Sequence, residues 1–422
     1  MKPTLLKKAL ILDPSSPYHQ QTKDILIDSG QISEISDEIK TKSNYELIEL
    51  PNLHVSPGWM DASVSFGEPG FEERETLENG CQTAAKSGFT GIALNLETEP
   101  VGDNQSTVNF VLNNANSSGC EIYPIANLTR GGKGEALAEL FDLQSAGAIA
   151  FGDYMSPIEN DLLMKIAIQY AQNIDALLIS FPKNKSISGA GLVNESAQSI
   201  QLGLKSEPNL SETLQISRDL HLLEYTGGKL HFPTITTKES VALIKAAKEK
   251  GLDVSCSVSV HHLYFDDKEL FGFDSNTKVS PPLRTEEDRQ ALLDALQNGT
   301  IDFVVSDHRP MEIESKKVAY NEAAYGTIGL ESAFLALNTI EQIDLDLLLQ
   351  KITVDPRNRL KIENPSISEG SIANLSLFNP EGELEIFDKN SIMSSNTNSI
   401  FLGEKLKGMV YGSINQSSVN LK

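Results

Sequence analysis

Alternation between short apolar runs and longer helical patterns is the feature that most constrains this chain, and it extends from about residue 58 to residue 359. Apolar side chains recur at helical spacing in 239–250 and 286–296. Between such stretches lie apolar runs of strand length, among them 91–96, 148–151, 176–181, 252–260 and 301–306. Repeated βα units around a parallel sheet are the simplest structure with this pattern. A barrel built this way places its chemistry at the C-terminal ends of its strands.

The two ends of the chain have a different pattern of apolar and turn-forming residues. Short apolar bursts in 1–55 are separated by Pro14, Pro17 and Gly30, and 360–422 shows a similar pattern with Gly, Asn and Pro between the bursts. Both ends therefore belong to one sheet in our prediction. We expect a small β-sandwich domain formed by 1–55 plus 360–422, and an α/β domain, a TIM (β/α)8 barrel, over 56–359.

The charge balance limits the possible partners. The 422 residues include 35 Lys and Arg against 58 Asp and Glu, for a formal net charge of −23. Such a surface repels phosphate backbones and anionic membranes, so we expect no nucleic-acid partner and no membrane role. A solvated acidic surface is the default interpretation, and a dedicated cationic partner is the alternative.

The cysteines and the start of the chain indicate the compartment. Cys81, Cys120 and Cys256 are scattered without a CxxC pair, which argues against a zinc ribbon or a disulfide framework. The apolar run at 9–12 is too short for a signal peptide or a membrane span. We therefore expect a cytoplasmic protein.

One motif carries a resemblance to a known family. The segment 57–70 reads PGWMDASVSFGEPG and resembles the PGxxDxHxHxREPG pattern of the dihydroorotases, amidohydrolases that interconvert dihydroorotate and carbamoyl-aspartate. In that pattern the alternating histidines face one side of the strand and hold zinc. Here those positions are Ser63 and Ser65, and the arginine that would clamp a substrate carboxylate is Gly67. The surrounding residues match the pattern: Pro57, Gly58, Asp61, Glu68, Pro69 and Gly70.

The resemblance continues along most of the chain, and further family residues are replaced. Glu97 stands where the family's MPNTNP has an asparagine for the substrate, and a carboxylate there would repel a dicarboxylate. Phe181 and Thr234 stand where two more metal-binding histidines are expected. His231 remains, but three residues before Thr234 on a strand it should face the opposite side, so we expect a structural histidine.

Other positions of the resemblance are retained or changed at the ends of later strands. Asp153 matches a bridging metal ligand, and Asp307 in GTIDFVVSDHRP matches the catalytic acid/base of the family's GTIDxxxTDHAPH. His308 also matches, whereas the substrate-holding asparagine of the NPPLR turn is Ser280. The resemblance thus implies a substrate pocket at Gly67, Glu97, Ser280 and His308. The adjacent pair His261 and His262 is predicted to be structural, since at most one of two successive strand residues faces the mouth.

These replacements determine the functional prediction. Of the implied zinc ligands only Asp153 and Asp307 remain. The degenerate positions are Ser63, Ser65, Phe181 and Thr234. We therefore expect no cofactor, and we expect Asp307 to have no catalytic role. The leading hypothesis is a non-catalytic dihydroorotase-like protein of pyrimidine biosynthesis. It would be a homo-oligomer and a structural or regulatory partner of aspartate transcarbamoylase or of an active dihydroorotase. The alternative is an active dihydroorotase, or a related cyclic amidohydrolase such as an allantoinase, with an atypical metal site.

Overall fold

The computed structural model describes residues 2–114 and 119–422. Its strands are β1 (Thr4–Ile11), β2 (Thr22–Asp28), β3 (Gln31–Ser36), β4 (Glu46–Ile48), β5 (His54–Pro57), β6 (Trp59–Val64), β7 (Phe89–Asn95), β8 (Glu121–Ala126), β9 (Ala150–Phe151), β10 (Leu177–Ile179), β11 (Val193–Asn194), β12 (Ser206–Glu207), β13 (Leu230–Phe232), β14 (Val254–Ser259), β15 (Phe303–Val305), β16 (Asn374–Ile386), β17 (Lys405–Asn415) and β18 (Ser418–Leu421).

The α-helices lie between and after the barrel strands. They are α1 (Leu77–Lys86), α2 (Gln105–Asn114), α3 (Leu140–Ser145), α4 (Asp161–Gln172), α5 (Lys185–Ser188), α6 (Ala197–Leu202), α7 (Asn209–Thr226), α8 (Lys238–Glu249), α9 (Val260–Tyr264), α10 (Glu286–Gln297), α11 (Ile313–Lys316), α12 (Ala333–Thr339), α13 (Leu345–Ile352) and α14 (Val354–Leu360). Several begin at a capping side chain, as where Thr237 accepts from the backbone N–H of Ser240 at the start of α8.

A parallel barrel forms the centre of the molecule. Its eight strands follow the order β6-β7-β8-β9-β10-β13-β14-β15. A parallel bridge between Val64 and His308 joins the first strand to the chain just after the last, which closes the ring. The predicted (β/α)8 barrel is therefore confirmed. Apolar side chains fill its interior, among them Met60, Ala93, Ile125 and Phe303, so the lumen is a packed core.

The two ends of the chain form the second sheet, as predicted. It has eight strands, with β18-β17-β16-β5-β1-β2-β3 along one path and β4 beside β1. The only tryptophan of the sequence, Trp59, joins this sheet to the barrel. Its indole stacks on Phe334 at 4.7 Å between ring centroids and packs against Phe378 of β16 at 5.4 Å. This buried aromatic contact fixes the start of β6 against the small sheet.

A helix that spans a bilayer needs about 20 predominantly apolar residues. Within 2–114 and 119–422, none is both long and apolar enough to span a membrane.

Candidate functional site

The barrel mouth contains a small cavity at the C-terminal ends of the strands, where a barrel carries its site. Three of the four positions aligned with metal-binding histidines line it, namely Ser63, Phe181 and Thr234, together with Asp307. The cavity has only about 20 Å³ of water-accessible space. Since one water needs roughly 10–15 Å³ by this measure, the cavity has room for about one water molecule. Ligand pockets are much larger, at about 300 Å³ or more.

The two serines at the end of β6 are engaged in hydrogen bonds with neighbouring side chains. The Ser63 hydroxyl accepts from the Asn95 side-chain amide at 3.1 Å. The Ser65 hydroxyl donates to Oε2 of Glu97 at 3.1 Å. Both hydroxyls therefore belong to the polar packing of the mouth, and the carboxylate that Ser65 contacts is itself bound by Arg309.

His231 and Thr234 lie differently from the sequence prediction. Both line the mouth cavity, so the expectation that they face opposite sides is wrong. Strand β13 ends at Phe232, and Thr234 has a φ of 46°, so strict alternation does not reach it. The His231 ring is hydrogen-bonded at Nδ1 to the Ser255 hydroxyl at 2.8 Å and at Nε2 to the Ser257 hydroxyl at 3.1 Å. Both ring nitrogens thus bond to the neighbouring strand β14.

Asp307 is a buried carboxyl at the end of β15. Burial raises its pKa to about 7, the charge of Arg309 opposes that rise, and the charge of Asp61 adds to it. The Tyr154 hydroxyl lies 3.4 Å from Oδ1 of Asp307. With a φ of 51° the residue is in the left-handed region, which Asp tolerates better than most. At neutral pH this carboxyl is partly protonated, as a group with a pKa near 7 must be.

Asp153, the other retained carboxylate, has different neighbours from Asp307. Its carboxylate accepts from the Thr129 backbone N–H at 3.0 Å and from the Thr129 hydroxyl. Burial raises its pKa. It is not part of the mouth-cavity lining. In this structure Asp153 thus tethers the chain after β8.

The sequence analysis missed an ion pair between the chain after β7 and the chain after β15. Arg309 donates from Nε to Oε2 of Glu97 at 2.8 Å and from Nη2 to Oε1, which makes the contact bidentate. Arg74 approaches the same carboxylate at 3.7 Å, and Arg309 also donates to the Tyr325 carbonyl. Burial alone would raise the pKa of Glu97, but the charge and hydrogen bonds of Arg309 outweigh it and lower that pKa.

The sequence contains a signal from which this ion pair could have been predicted. Arg309 stands where the family pattern GTIDxxxTDHAPH has an alanine, and Glu97 stands where MPNTNP has an asparagine. Read together, the two replacements introduce opposite charges at two strand ends of one mouth. The sequence analysis considers Glu97 alone and interprets it as a repulsive group. The structure shows that Glu97 has a cationic partner within the chain.

The remaining pocket positions are spread around the mouth. Ser280 lines the cavity. Gly67 has a φ of 108°, and a Cβ there would meet the Phe71 carbonyl at 2.9 Å, so a side chain has no room. His308 is fully buried, and its Nδ1 accepts from the backbone N–H groups of Gly329 and Leu330 at 3.2 and 3.3 Å. Of the four predicted pocket positions, only Ser280 lines this cavity.

The histidine pair after β14 also departs from the prediction. Strand β14 ends at Ser259, and His261 and His262 belong to the short helix α9, so the strand argument used for them is wrong. His262 bonds the Ser259 hydroxyl through Nδ1 at 2.5 Å and the Pro281 carbonyl through Nε2 at 3.0 Å. Neither ring nitrogen of His261 has a hydrogen-bond partner in the described parts of the chain.

The side chains at the mouth do not fit the zinc that the resemblance implies. Zinc in proteins takes imidazole, thiolate or carboxylate ligands, whereas Ser63, Phe181 and Thr234 offer two hydroxyls and a phenyl ring. Nowhere in 2–114 or 119–422 do three or more His, Cys, Asp or Glu side chains form a group that could hold a metal ion. Glu97 is bound to Arg309, and Asp153 is bound to Thr129.

Comparisons with known proteins give a consistent relationship. A family model described as dihydro-orotase-like matches residues 53–240. The dihydroorotase of Geobacter metallireducens is 34% identical over 408 residues, 96% of each chain. The dihydroorotase of Thermoanaerobacter sp. is 36% identical over 423 residues, 99% of this chain and 97% of the relative.

Solved structures support the same architecture. The L-hydantoinase (dihydropyrimidinase) of Arthrobacter aurescens superposes with a TM-score of 0.85 at 20% identity, covering 99% of this chain and 96% of that one. A D-hydantoinase (dihydropyrimidinase) from Thermus sp. gives a TM-score of 0.81 at 19% identity, covering 99% of this chain and 95% of that one. At this identity the likeness concerns the fold alone.

Proposed function

Because this chain belongs to the dihydroorotase family, we propose that it is a cytoplasmic, non-catalytic member that acts as a structural or regulatory subunit in pyrimidine biosynthesis. Its partner in this proposal is aspartate transcarbamoylase or an active dihydroorotase, and the chain itself forms a homo-oligomer. One observation carries the proposal. At three positions where the family pattern has metal-binding histidines the mouth presents Ser63, Phe181 and Thr234, and the nearby Glu97 is paired with Arg309.

The chemistry of amide hydrolysis explains why these replacements matter. A divalent metal lowers the pKa of a bound water and polarises the carbonyl under attack, effects worth several kcal/mol in the transition state. Asp307 stands at the acid/base position, and its pKa of about 7 suits proton transfer. Its neighbours in the mouth, however, are Tyr154 and the Ser63 and Thr234 side chains. Ser63, Phe181 and Thr234 offer no strong ligand for a metal that would activate a water for this base.

The room at the mouth supports the same proposal. A cyclic ureide has about ten heavy atoms and needs the space of a ligand pocket, about 300 Å³ or more. The mouth cavity has about 20 Å³. Arg309 and Glu97 neutralise each other, so neither offers a free charge to a dicarboxylate. Both observations support the proposal that the barrel does not bind the family substrate.

Turnover of dihydroorotate is the direct test of the catalytic part. Purified protein, with and without added zinc, is assayed beside a dihydroorotase that has both histidines of the HxH pattern. We expect no hydrolysis and no ring closure above the buffer background. Sustained turnover that scales with protein concentration would favour the alternative, an active dihydroorotase or allantoinase with an atypical metal site.

Complex formation tests the partner part. The chain is mixed with aspartate transcarbamoylase from the same genome, and the mixture is analysed by size-exclusion chromatography with light scattering. We expect a stable complex with a defined ratio of subunits and altered transcarbamoylase kinetics. Separate elution at micromolar concentrations, repeated with the active dihydroorotase of that genome, would contradict the role as a subunit.

A further inference from the structure

A second cavity lies at the opposite end of the barrel, between the small sheet and helices α13 and α14. It has about 570 Å³ of water-accessible space, which lies within the range of small-molecule sites, about 300–1,000 Å³. Domain interfaces are a common place for such sites. Most of its wall is apolar, supplied by Leu12, Pro14, Pro57, Leu349, Val354 and Pro365.

One buried carboxylate faces this cavity without a cation. Asp13 is 2% exposed and accepts from the Ser15 backbone N–H at 2.9 Å, the Ser15 hydroxyl at 2.7 Å and the Ile367 backbone N–H at 2.7 Å. These donors are all neutral. In the described parts of the chain no Lys, Arg or His lies within ion-pair distance of Asp13. A buried negative charge beside an apolar wall attracts a cation strongly.

The other polar groups of the wall point to the same kind of ligand. No Lys or Arg lines the cavity, and a second carboxylate, Asp346, lies exposed at its rim. His19 also lines it, and its Nδ1 is buried without a hydrogen-bond partner in the described residues. An anion would meet two carboxylates and no lysine or arginine here. A ligand with N–H donors would lie beside a carboxylate and a buried imidazole nitrogen that has no partner in the described residues.

We propose that this cavity binds a small organic cation with an apolar body. The ammonium group lies toward Asp13 and His19, and the body packs against the prolines and Leu349. The site is separate from the barrel mouth, and it stands whether or not the chain is catalytic. Its ligand class is set by a buried carboxylate in an apolar wall, a combination that favours amines over alcohols and acids of the same shape.

Three probe molecules of nearly equal size but different charge test whether binding depends on the charge of the ligand or on its shape. Benzylamine, benzyl alcohol and benzoate are titrated into the full chain by calorimetry at neutral pH. We expect benzylamine to bind at least about tenfold more tightly than benzyl alcohol, because its ammonium forms a charge-assisted hydrogen bond. We expect no binding of benzoate.

Two variants locate the binding. Asp13→Asn keeps the acceptor oxygen and removes the charge, so benzylamine should fall to the affinity of benzyl alcohol. Val354 is half-buried in the cavity wall, and Val354→Phe places a ring into the cavity. This variant should therefore lose all binding. It tests the site independently if Asp13→Asn does not fold. Asp28→Asn, an exposed aspartate of the small sheet, is the matched control and should bind as the wild type does.

The outcomes that overturn the proposal are distinct. Equal affinity for benzylamine and benzyl alcohol would show that Asp13 does not select charge. Unchanged benzylamine binding in folded Val354→Phe would place the amine elsewhere on this acidic protein. No heat of binding for benzylamine at millimolar concentration would show that the cavity takes no organic cation.

Discussion

Replacing Arg309 by methionine removes the cation that Glu97 faces at the barrel mouth. Glu97 is 28% exposed and Arg309 12% exposed, so the burial of this ion pair is intermediate between that of a buried ion pair and that of a surface ion pair. Breaking a buried pair costs about 3–5 kcal/mol, and a surface pair contributes about 0–1 kcal/mol. We expect Arg309→Met to lower the free energy of unfolding by about 2–3 kcal/mol, because the Glu97 carboxylate loses its bidentate partner and keeps only the Ser65 hydroxyl and Arg74 at 3.7 Å.

Urea unfolding followed by the fluorescence of Trp59, the only tryptophan of the sequence, measures this loss. The double variant Arg309→Met with Glu97→Gln should recover about 2 kcal/mol, since no charge is then left unpaired. Arg130→Met is the matched control. Its pair with Glu139 is 63% and 66% exposed, so it should cost about 1 kcal/mol or less. A loss in Arg309→Met no larger than in Arg130→Met, or no recovery in the double variant, would refute the argument.

Two further predictions concern buried groups. Asp307→Asn should remove a pH dependence: the pKa of Asp307 is about 7 in the fold against an ordinary 3.8, so the folded state holds a proton that the unfolded chain releases. Wild-type stability therefore falls as pH rises from about 4 to about 7, by up to about 1.4 kcal/mol per pH unit from this group. Urea midpoints should favour Asp307→Asn increasingly across that window, and parallel curves for the two proteins would contradict the assignment. His262→Phe should cost about 2 kcal/mol because it leaves Ser259 and the Pro281 carbonyl without their partner. His261→Phe should cost less than about 1 kcal/mol, since neither ring nitrogen has a partner in the described residues; an equal loss in both variants, by the same unfolding assay, would show that His261 has bonds of its own.

The barrel and the joined terminal sheet could be predicted because both depend on patterns that are local in the sequence. Alternating strand and helix patterns allow few packings other than a parallel barrel. The short apolar strands at either end of the chain must pair with each other in one sheet to bury an apolar face. The run 301–306 predicted a strand, and β15 covers Phe303–Val305 of it. Its C-terminal end carries Asp307 at the mouth cavity, where strand-end chemistry is expected.

The details of the mouth could not be predicted because they depend on where each strand stops. The alternation argument for His231 and Thr234 needed a strand through both, but β13 ends at Phe232. The same argument for the pair after β14 failed because a helix begins at Val260. Strand ends are set by tertiary hydrogen bonds and by residues such as Thr234 with positive φ, which leave no periodic signal in the sequence.

The Glu97–Arg309 pair shows a second limit of sequence reasoning. The two residues are separated by 212 positions, and only the closed barrel brings them together. A substitution pattern indicates which side chain is lost at a position. It does not indicate which new contact replaces the lost one. Here the new contact joins the chain after β7 to the chain after β15.

Zinc content of the purified protein is the measurement that tests the central claim most directly. The chain is incubated with excess zinc, dialysed, and analysed for metal beside a dihydroorotase that has the HxH pair. With hydroxyls and a phenyl ring at Ser63, Thr234 and Phe181, we predict far less than one zinc per chain. One or more zinc ions retained per chain would contradict the account, because it would mean that other side chains form the metal site.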